Sequence, residues 1–363
     1  MALRIVLTGG GTLGSVTPLL ATAEKLRESA PGAELHWIGT SAGPEAALVR
    51  EIGITFHAIA SGRLHRYLTW RQPGDLLLIA KGFFQAFALL GRLRPNAVAS
   101  AGGFVAVPVV WAAWLRRIPV HIHQLDLRPG LANRLSAPFS RSLSVSFEKS
   151  IHDYRRPRPV LTGTPIRGSV LAGSAAEGRR KFNLSSDRPT VLVTGGGTGA
   201  ARLNDLVREA APTLCRTAQV LHLTGKGKTK PWPEAPSGYH QVEFLAGDMA
   251  DALAVADLVV TRAGIGALTE LAALGKPTIV VPMSGTHQEE NAAWFSVKKA
   301  AKKLDEMAAT PETFAKDVLG LLADKPERER LAANIRSLAQ PDATAAVAEM
   351  ILQAAARRPG RPS

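Results

Sequence analysis

Two glycine-rich turns, each directly after a short apolar run, most constrain how this chain can fold. The first is Thr8-Gly-Gly-Gly-Thr-Leu-Gly-Ser15 and the second is Thr194-Gly-Gly-Gly-Thr-Gly-Ala200. A helical pattern follows both turns, and the order strand, glycine turn, helix begins the βαβ unit of a Rossmann-like domain. Because this order occurs twice, the sequence predicts an α/β protein with two Rossmann-like lobes, each with a parallel sheet.

The rest of the chain supports this interpretation, since short apolar runs alternate with longer helical stretches. The predicted strands are residues 3–7, 34–38, 97–100 and 119–123 in the first lobe and 190–194, 218–223, 242–245, 258–261 and 278–281 in the second. The predicted helices include residues 17–28, 204–211 and 265–274. A Pro-rich stretch, residues 155–165, separates the two series. We therefore predict lobes at 1–164 and 165–340 with a cleft between them, and a terminal helix with a frayed basic tail at 341–363.

Composition excludes several classes of protein. With 46% hydrophobic and 20% charged residues, the chain can bury ordinary cores and is not disordered. The single cysteine, Cys215, excludes an intramolecular disulfide and a cysteine-cluster metal site, which fits a reducing compartment. Residues 1–10 lead directly into a strand and a glycine turn, without the features of a signal peptide, so we expect a cytoplasmic location.

The net charge of +14 predicts an anionic partner, which could be nucleic acid, acidic lipid or a phosphorylated ligand. More than half of the excess lies in residues 1–150, beside apolar clusters. Cations next to leucines and aromatic rings favour peripheral binding to an anionic membrane, whereas no nucleic-acid motif accompanies the charge. The predicted membrane residues are Trp70, Leu76, Ile79, Phe83, Phe84 and Trp114.

Residues 76–90 form the longest apolar stretch of the chain. Lys81 and Gln85 interrupt it, and we expect it to fall short of the roughly 18 apolar residues that a membrane-spanning helix needs. The alternative to a membrane-binding surface is an ordinary buried helix, because core helices have the same pattern.

Both glycine turns could hold a phosphate, because glycine lets the backbone approach an oxyanion and the next helix presents free amides. Neither turn has the full Gly-x-Gly-x-x-Gly spacing, and no acidic residue ends the next strand, which counts against a nicotinamide-dependent oxidoreductase. No Gly-Lys-Ser/Thr closes either turn, which disfavours a P-loop. The segment Gly225-Lys-Gly-Lys228 could also reach a phosphate, or could be a solvated turn.

Residues 261–282 and 287–292 form the most informative stretch. A strand end, a glycine turn and a helix carrying Glu270 are followed by a Gly-Lys-Pro stop and another strand end. The Glu270 carboxylate could accept both hydroxyls of a ribose, and Gln288 with Asn291 could face a sugar. The alternative for Glu270 alone is a solvated helix residue.

Together, these motifs resemble the MurG family. They are residues 10–18, 162–167, 195–200 with Leu203 and Asn204, 222–227, 262–270 and 287–291. The family consists of UDP-N-acetylglucosamine:undecaprenyl-pyrophosphoryl-muramoyl-pentapeptide N-acetylglucosaminyltransferases, which make lipid II from lipid I in peptidoglycan synthesis. The resemblance implies a GT-B fold, an inverting transfer without a required metal or cofactor, and a peripheral location on the cytoplasmic face of the plasma membrane. It also implies a part in cell shape and division.

The resemblance assigns residues to both substrates. Glu270 would hold the ribose, the backbone at Leu245 would meet the uracil, and Gln288 with Asn291 would lie near the donor sugar. The other implied donor residues are Thr12, Gly14, Arg167, Gly197, Thr198, Gly199, Gly264, Ile265, Ala267 and Leu268, of which Arg167, Gly197, Thr198 and residues 265–267 surround the pyrophosphate. The implied acceptor residues are Gly11, Phe104 and Asn133. Thr164 and Gly197 replace the family's usual Asn and Ser.

The acceptor side departs further from the family. Ser15 stands where the family has a candidate general-base histidine, and a serine cannot remove a hydroxyl proton unaided. Phe104 replaces a tyrosine, and the family's His-Glu-Gln-Asn is replaced by His123-Gln-Leu-Asp126. We therefore expect the base to be Asp126 or His123. The alternatives are a different lipid-linked acceptor, a weakened enzyme or scaffold that binds nucleotide sugar, and, for His123, a core histidine.

Overall fold

The computed structural model of the chain describes residues 2–11, 13–41, 43, 45–62, 72–196, 200–245 and 247–356. Two compact units form within this part of the chain, each around one parallel sheet. The first unit comprises Met1–Arg167 and Gln340–Ser363, and the second comprises Gly168–Ala339. The predicted α/β class with two parallel sheets is confirmed.

The described part of the first unit contains a seven-stranded sheet. Its strands are β1 (Arg4–Thr8), β2 (Glu34–Thr40), β3 (Thr55–Ile59), β4 (Ala97–Ser100), β5 (Val120–Gln124), β6 (Ser142–Val145) and β7 (Val160–Leu161). Its helices are α1 (Thr17–Ser29), α2 (Glu45–Glu51), α3 (Gln72–Leu93), α4 (Ala106–Leu115) and α5 (Leu131–Ser136), with single 3₁₀ turns at Leu13–Ser15, Ala137–Phe139 and Glu148–Asp153.

The strand order of this sheet is β3-β2-β1-β4-β5-β6-β7, and every pairing is parallel. The order reverses at β1, which pairs with β2 on one side and β4 on the other. Thr8 is level with Ser100, so the loops after β1 and β4 begin side by side. Ligands of open α/β sheets bind at the carboxyl edge of such a reversal, which makes these two loops a candidate site.

The second unit follows the same plan with a six-stranded sheet in its described residues. Its strands are β8 (Thr190–Thr194), β9 (Gln219–Leu223), β10 (Tyr239–Val242), β11 (Leu258–Thr261), β12 (Thr278–Val280) and β13 (Lys302–Lys303). Its helices are α6 (Gly168–Leu171), α7 (Ala175–Phe182), α8 (Ala201–Leu214), α9 (Met249–Val255), α10 (Ile265–Leu274), α11 (Gln288–Val297), α12 (Pro311–Ala323) and α13 (Lys325–Arg336). The order β10-β9-β8-β11-β12-β13 reverses between β8 and β11, where Thr194 is level with Thr261.

The last helix, α14 (Ala343–Ala356), returns to the first unit. Val347 and Ile351 are fully buried in one core cluster with Ile5 and Leu7 of β1 and Leu19 of α1. From the sequence, residues 341–363 are expected to form a terminal helix and a frayed tail outside the two lobes. The structure instead makes α14 part of the core of the first unit, because its apolar side chains cover one face of that sheet.

Several strands differ from their predictions. The strand predicted at 242–245 is β10 at Tyr239–Val242, and Leu245 lies in the loop that follows. The carbonyl of Gly238 accepts a hydrogen bond from the Val220 amide at 2.8 Å, which starts the pairing earlier than the apolar pattern indicates. Strands β3, β6, β7 and β13 were not predicted, since they are short or carry polar side chains.

Helix α3 is longer and more exposed than the sequence indicated. The segment Gly74–Leu93 has 20 residues and is long and apolar enough to cross a membrane by length and composition alone, although Lys81 and Gln85 interrupt it as the sequence indicated. Only 17% of the most apolar 18-residue stretch of this helix is buried. The alternative of an ordinary buried core helix is therefore wrong.

Candidate functional site

The first glycine loop follows β1 and is held by neighbouring segments. The Gly9 carbonyl accepts a hydrogen bond from Trp37 Nε1 at 3.0 Å, and the Gly11 amide donates to Glu45 Oε2 at 3.3 Å. Gly11 has a φ of +83°, and a Cβ on it would lie 2.2 Å from Phe104 Cε1. Only glycine fits between this carboxylate and this ring, so the loop has one defined path.

A second loop, Gly102-Gly103-Phe104, follows β4 and packs against the first. Gly102 and Gly103 have φ values of +98° and +90°. A Cβ on Gly103 would lie 2.7 Å from the Gly10 carbonyl oxygen and 3.4 Å from Ser15 Oγ. Gly11 and Phe104 are two of the residues that the family resemblance implies in acceptor binding, and the structure brings them into contact.

The loop after β5 carries Asp126 and is fixed by Gln124. Gln124 Nε2 donates to the carbonyls of Asp126 at 2.8 Å and Arg128 at 3.0 Å. Gln124 Oε1 accepts from Asn133 Nδ2 at 2.6 Å and from the Tyr154 hydroxyl at 3.0 Å, while burial raises the pKa of Tyr154. Asn133 is 6% exposed and lies beneath Gly102, so it positions the loops from below.

The second glycine turn follows β8 and leads into α8. Gly196 has a φ of +77°, and its amide donates to Thr194 Oγ1 at 3.2 Å. Residues 197–199, which include the predicted donor residues Gly197, Thr198 and Gly199, lie outside the described residues, as do Thr12 and Trp70.

A buried polar chain lies beside this turn. Asn204 Nδ2 donates to the Thr224 carbonyl at 2.8 Å, and Asn204 Oδ1 lies 3.1 Å from His222 Nε2. The other nitrogen of His222 therefore accepts from the Tyr239 hydroxyl at 2.6 Å. Burial lowers the pKa of His222 to about 4, so the ring is neutral near pH 7. These residues line a cavity of about 250 Å³, together with Lys228 of the Gly225–Lys228 segment.

Helix α10 begins at the carboxyl end of β11. Its N-cap residue, Gly264, has extended backbone with a φ of −74°, and in the described residues no side chain caps the helix. The first-turn amides of such a helix need acceptors and carry the positive end of the helix dipole. Ile265 and Leu268 are buried, so these two residues offer a ligand only their backbone. This helix start can bind an anion such as a diphosphate.

Arg262 and Glu306 hold the turn before α10. They form a buried ion pair, with side chains 8% and 7% exposed. Arg262 Nη1 also donates to the carbonyls of Val281 at 3.1 Å and Pro282 at 3.3 Å. Arg202 of α8 donates through Nε to the Glu306 carbonyl at 3.1 Å. Arg262 and Glu306 together thus link the segments after β8, β11 and β12 at the edge where the strand order reverses.

Comparison with known proteins identifies the family. Residues 5–144 match the glycosyltransferase family 28 N-terminal domain and residues 190–347 match its C-terminal domain. A UDP-N-acetylglucosamine–N-acetylmuramyl-(pentapeptide) pyrophosphoryl-undecaprenol N-acetylglucosamine transferase of Lachnoclostridium phytofermentans is 44% identical over 77% of this chain and 79% of that protein. The enzyme of the same name from Lachnospira eligens is 39% identical over 89% of this chain and 92% of its own length. This chain belongs to that family of transferases, the MurG family.

A solved structure agrees with this assignment. The crystal structure of Acinetobacter baumannii MurG has a TM-score of 0.72 with this chain at 26% identity, over 97% of this chain and 99% of that one. The GT-B fold and the glycosyltransferase class implied by the sequence motifs are thus confirmed.

His123, one of the two residues expected as the general base, needs a correction. Its side chain is 1% exposed, with Nδ1 2.8 Å from Ser144 Oγ and Nε2 3.2 Å from Ser146 Oγ. Burial lowers the pKa of His123 to about 3. An enclosed ring with both nitrogens hydrogen-bonded cannot reach a substrate hydroxyl, so the structure favours the alternative of a core histidine over a general base.

Asn291 also differs from its expected place near the donor sugar. It is fully buried, and Nδ2 donates to the Ala263 carbonyl at 3.0 Å. It therefore supports the same turn as Arg262. Gln288 is half-buried, and its Oε1 accepts from the Met283 amide at 3.1 Å, which leaves the Nε2 side of this amide for a ligand.

The roles of the other residues that the family resemblance implies remain predictions, and the structure gives the exposure of each residue. Gly264, Ala267 and Glu270 are half-buried on the first turns of α10, and Leu245 is 9% exposed in the loop after β10. Gly14 is exposed in the first glycine loop, whereas Ser15 is 9% exposed. Among the described residues, Ser15 Oγ has no hydrogen-bond partner.

Arg167, which the resemblance places at the donor pyrophosphate, belongs to the first unit. It is half-buried, and within the described part of the chain its Nε has no hydrogen-bond partner. Burial raises the pKa of Glu24, and the positive charge of Arg167 opposes this shift. Among the described residues, the Nε–H group of Arg167 is therefore a donor without an acceptor.

Sequence reasoning missed Glu45 and Glu306, the two buried carboxylates that hold the loops. Glu45 is the first residue of α2 and is fully buried, although a glutamate at a helix start is ordinarily solvated. The available signal was the close spacing of Gly39, Gly43 and Glu45, which leaves room for a carboxylate beside the backbone. Glu306 follows a two-residue strand that has no apolar pattern, so nothing local marked it.

Proposed function

We propose that this chain transfers N-acetylglucosamine from UDP-GlcNAc to undecaprenyl-pyrophosphoryl-MurNAc-pentapeptide, the conversion of lipid I to lipid II in peptidoglycan synthesis. The family to which the chain belongs is named for this reaction. The observation that carries the proposal is the start of α10 beside Gly264, which no side chain caps among the described residues, on a turn fixed by Arg262 and Asn291. A leaving diphosphate needs this kind of positive, preorganised environment, and it requires no metal.

The second unit binds the donor in this proposal. Amides of the first turn of α10 and of the second glycine turn donate hydrogen bonds to the pyrophosphate oxygens, and the Glu270 carboxylate accepts hydrogen bonds from the ribose hydroxyls. Gln288 orients the sugar through its Nε2 group. Because Asn291 is buried, it acts by holding the Ala263 carbonyl.

The first unit binds the acceptor, with Gly11 and Phe104 at its surface and Asn133 beneath them. The acceptor hydroxyl attacks C1 of N-acetylglucosamine with inversion, the bond from C1 to the UDP oxygen breaks, and UDP leaves with the bonding pair. The hydroxyl proton goes to the carboxylate of Asp126. Asp126 is half-buried on a loop whose carbonyls are held by Gln124, so this carboxylate has a defined position.

We also propose that the protein works as a peripheral protein on the cytoplasmic face of the plasma membrane. Leu76, Leu77 and Phe84 of α3 are 55%, 73% and 69% exposed, and Trp114 at the end of α4 is 54% exposed. Ile79 and Phe83 are half-buried beneath them. Such an apolar surface within a basic unit favours an anionic lipid surface over nucleic acid. A role in cell shape and division follows from the same reaction.

The test is single-turnover transfer from UDP-GlcNAc to lipid I, with wild type, Asp126→Asn and Asp153→Asn as a matched control on a nearby exposed turn. We expect wild-type transfer, a loss of about 100-fold or more in Asp126→Asn because a general base contributes about that much, and an unchanged control. UDP affinity remains the same in all three proteins.

Different outcomes separate the alternatives. Wild-type chemistry in Asp126→Asn removes the base assignment. Binding of UDP-GlcNAc without transfer to lipid I contradicts the proposed reaction, and it favours another lipid-linked acceptor or a scaffold that binds nucleotide sugar.

A further inference from the structure

Glu45 is a fully buried carboxylate at the first glycine loop. Its Oε1 accepts hydrogen bonds from the Thr40 amide at 2.7 Å and from Thr40 Oγ1 at 2.6 Å. Its Oε2 accepts from the Gly11 amide at 3.3 Å. Both oxygens therefore face backbone N–H donors, which come from the end of β2 and from the first glycine loop.

The backbone around this carboxylate leaves no room for other side chains. A Cβ on Gly10 would lie 2.2 Å from Glu45 Oε1, and a Cβ on Gly43 would lie 2.0 Å from Glu45 Oε2. A Cβ on Gly39 would lie 3.1 Å from Oε1. Three glycines from two segments thus enclose the carboxylate of Glu45.

In a phosphate-binding loop, glycine amides bind oxygens of the ligand. At Gly11 the oxygen comes from the protein itself. The opposite side of Gly11 contacts Phe104, so the loop is clamped between Glu45 and the aromatic ring. The two bonds from Thr40, at 2.7 and 2.6 Å, fix the carboxylate, and the longer bond from the Gly11 amide at 3.3 Å connects it to the loop.

We propose that Glu45 is a positioning residue for the acceptor: its carboxylate acts as a built-in anion that holds the Gly11 amide and fixes the first glycine loop against Phe104. The inference rests on the proposed function, which assigns the acceptor to the first unit. The two glycine turns then have separate tasks. The second turn binds the diphosphate of a ligand. At Gly11, by contrast, the first turn binds an internal carboxylate, and the outer surface of the loop is available to the acceptor.

Glu45→Gln tests this because glutamine keeps the size of the side chain but replaces one oxygen with NH₂. In either orientation of the amide, the NH₂ group faces a backbone N–H donor, either Thr40 or Gly11. Glu51→Gln is the matched control, since Glu51 is an exposed residue at the end of the same helix.

Three measurements are made on the full chain: hydrogen exchange of the peptide covering residues 9–16, kcat/KM for lipid I, and the dissociation constant of UDP. For Glu45→Gln we expect faster exchange in that peptide. We expect a fall of about tenfold or more in kcat/KM for lipid I, because an error of about 1 Å in position can cost roughly 100-fold. We expect an unchanged UDP dissociation constant. Glu51→Gln behaves as wild type in all three measurements.

The proposal is overturned when exchange and acceptor kinetics of Glu45→Gln match wild type, or when its UDP affinity falls as much as its acceptor kinetics. If wild type itself does not transfer to lipid I, the proposed function fails and the exchange of residues 9–16 still decides the role of Glu45. If Glu45→Gln does not fold, Thr40→Val removes one hydroxyl donor. Faster exchange of residues 9–16 and a smaller fall in kcat/KM for lipid I in Thr40→Val, with unchanged UDP affinity, then support the proposal. Wild-type values in Thr40→Val overturn it.

Discussion

Buried charges in this chain are stabilised by different partners, and their substitutions differ accordingly. Glu45 has backbone amides and one hydroxyl, so a neutral side chain of the same size still leaves an N–H donor unpaired. Glu306 has the guanidinium of Arg262, so its removal leaves an unpaired buried cation. A neutral residue in place of Glu45 is therefore expected to move the first glycine loop. Removal of Glu306 is expected mainly to lower the free energy of unfolding.

Buried histidines make the first unit sensitive to acid. Burial lowers the pKa values of His121 and His123 to about 3, from ordinary values near 6.5. Below pH 6.5 the unfolded chain therefore binds protons that the folded chain does not, and the free energy of unfolding falls as the pH decreases toward 3. Each such ring contributes about 1.4 kcal/mol per pH unit in that window, and contributes nothing to the pH dependence above it.

We predict that His123→Gln weakens this acid sensitivity and leaves transfer possible. Urea unfolding is compared between pH 7 and pH 5, where ordinary carboxylates remain charged. The slope of unfolding free energy against pH is expected to decrease by about 1 kcal/mol per pH unit below pH 6.5. An equal slope in wild type and variant contradicts the assignment of a neutral core ring, and an abolished kcat with normal folding contradicts its exclusion as the base.

The sequence alone predicted residues that lie on loops more reliably than residues whose roles depend on burial. Gly11 and Phe104, which the resemblance implied in acceptor binding, lie in contact, because loops that follow parallel strands lie at one edge of the sheet. His123 was a candidate general base and Asn291 was expected near the donor sugar, yet both side chains are buried. Their positions depend on which side of the strand or helix faces the interior, and a polar residue in an apolar pattern does not reveal that.

Among the elements, the Arg262–Glu306 pair stabilises the turn before α10. We predict that Glu306→Ala lowers the stability of the second unit by about 3–5 kcal/mol, because Arg262 is left buried and unpaired. Glu329→Ala is the matched control, since Glu329 pairs with Lys325 at 3.7 Å while both side chains are about 70% exposed. That exposed pair is worth only about 0.3–0.5 kcal/mol.

Chemical unfolding followed by UDP titration checks this prediction. UDP affinity is expected to fall in Glu306→Ala as the turn loosens, and to stay constant in Glu329→Ala. Equal stability losses in the two variants contradict the role of the buried pair.

Element boundaries were predictable where local chemistry fixes both ends. Helix α10 has its predicted bounds, because extended Gly264 precedes it and Gly275, with a φ of +63°, ends it. Central strands such as β4, β8 and β11 also have their predicted bounds. Edge strands β3, β7 and β13 escaped prediction, since a strand with one neighbour needs no continuous apolar run.

For the whole molecule, the net charge of +14 and the exposed side of α3 are the two features on which the proposed binding to an anionic lipid surface rests. Exposed apolar area of this kind is unfavourable in water unless a partner covers it. In the proposed arrangement, the basic residues attract anionic lipid, and the exposed leucines and aromatic rings of α3 insert into the lipid surface.

We predict that wild type co-sediments with vesicles containing anionic lipid, and less with neutral vesicles or at high salt. Leu77→Ser is expected to lower the partition coefficient by about tenfold, since burial of a leucine side chain contributes about 1.5–3 kcal/mol. Val297→Ser is the matched control, because Val297 is 81% exposed on α11 of the second unit. An equal loss in both variants, or no binding by wild type, contradicts a membrane role for α3.

Helix α14 also affects the order in which the molecule can be made. The amino end of a chain emerges first from the ribosome, so β1 to β7 emerge long before Val347 and Ile351. These two residues of α14 complete the core of the first unit. The second unit is continuous in sequence from Gly168 to Ala339 and can fold as soon as it has emerged. The first unit, although translated first, finishes folding last, and during that interval its unfinished sheet is the part of the nascent chain that a chaperone must protect.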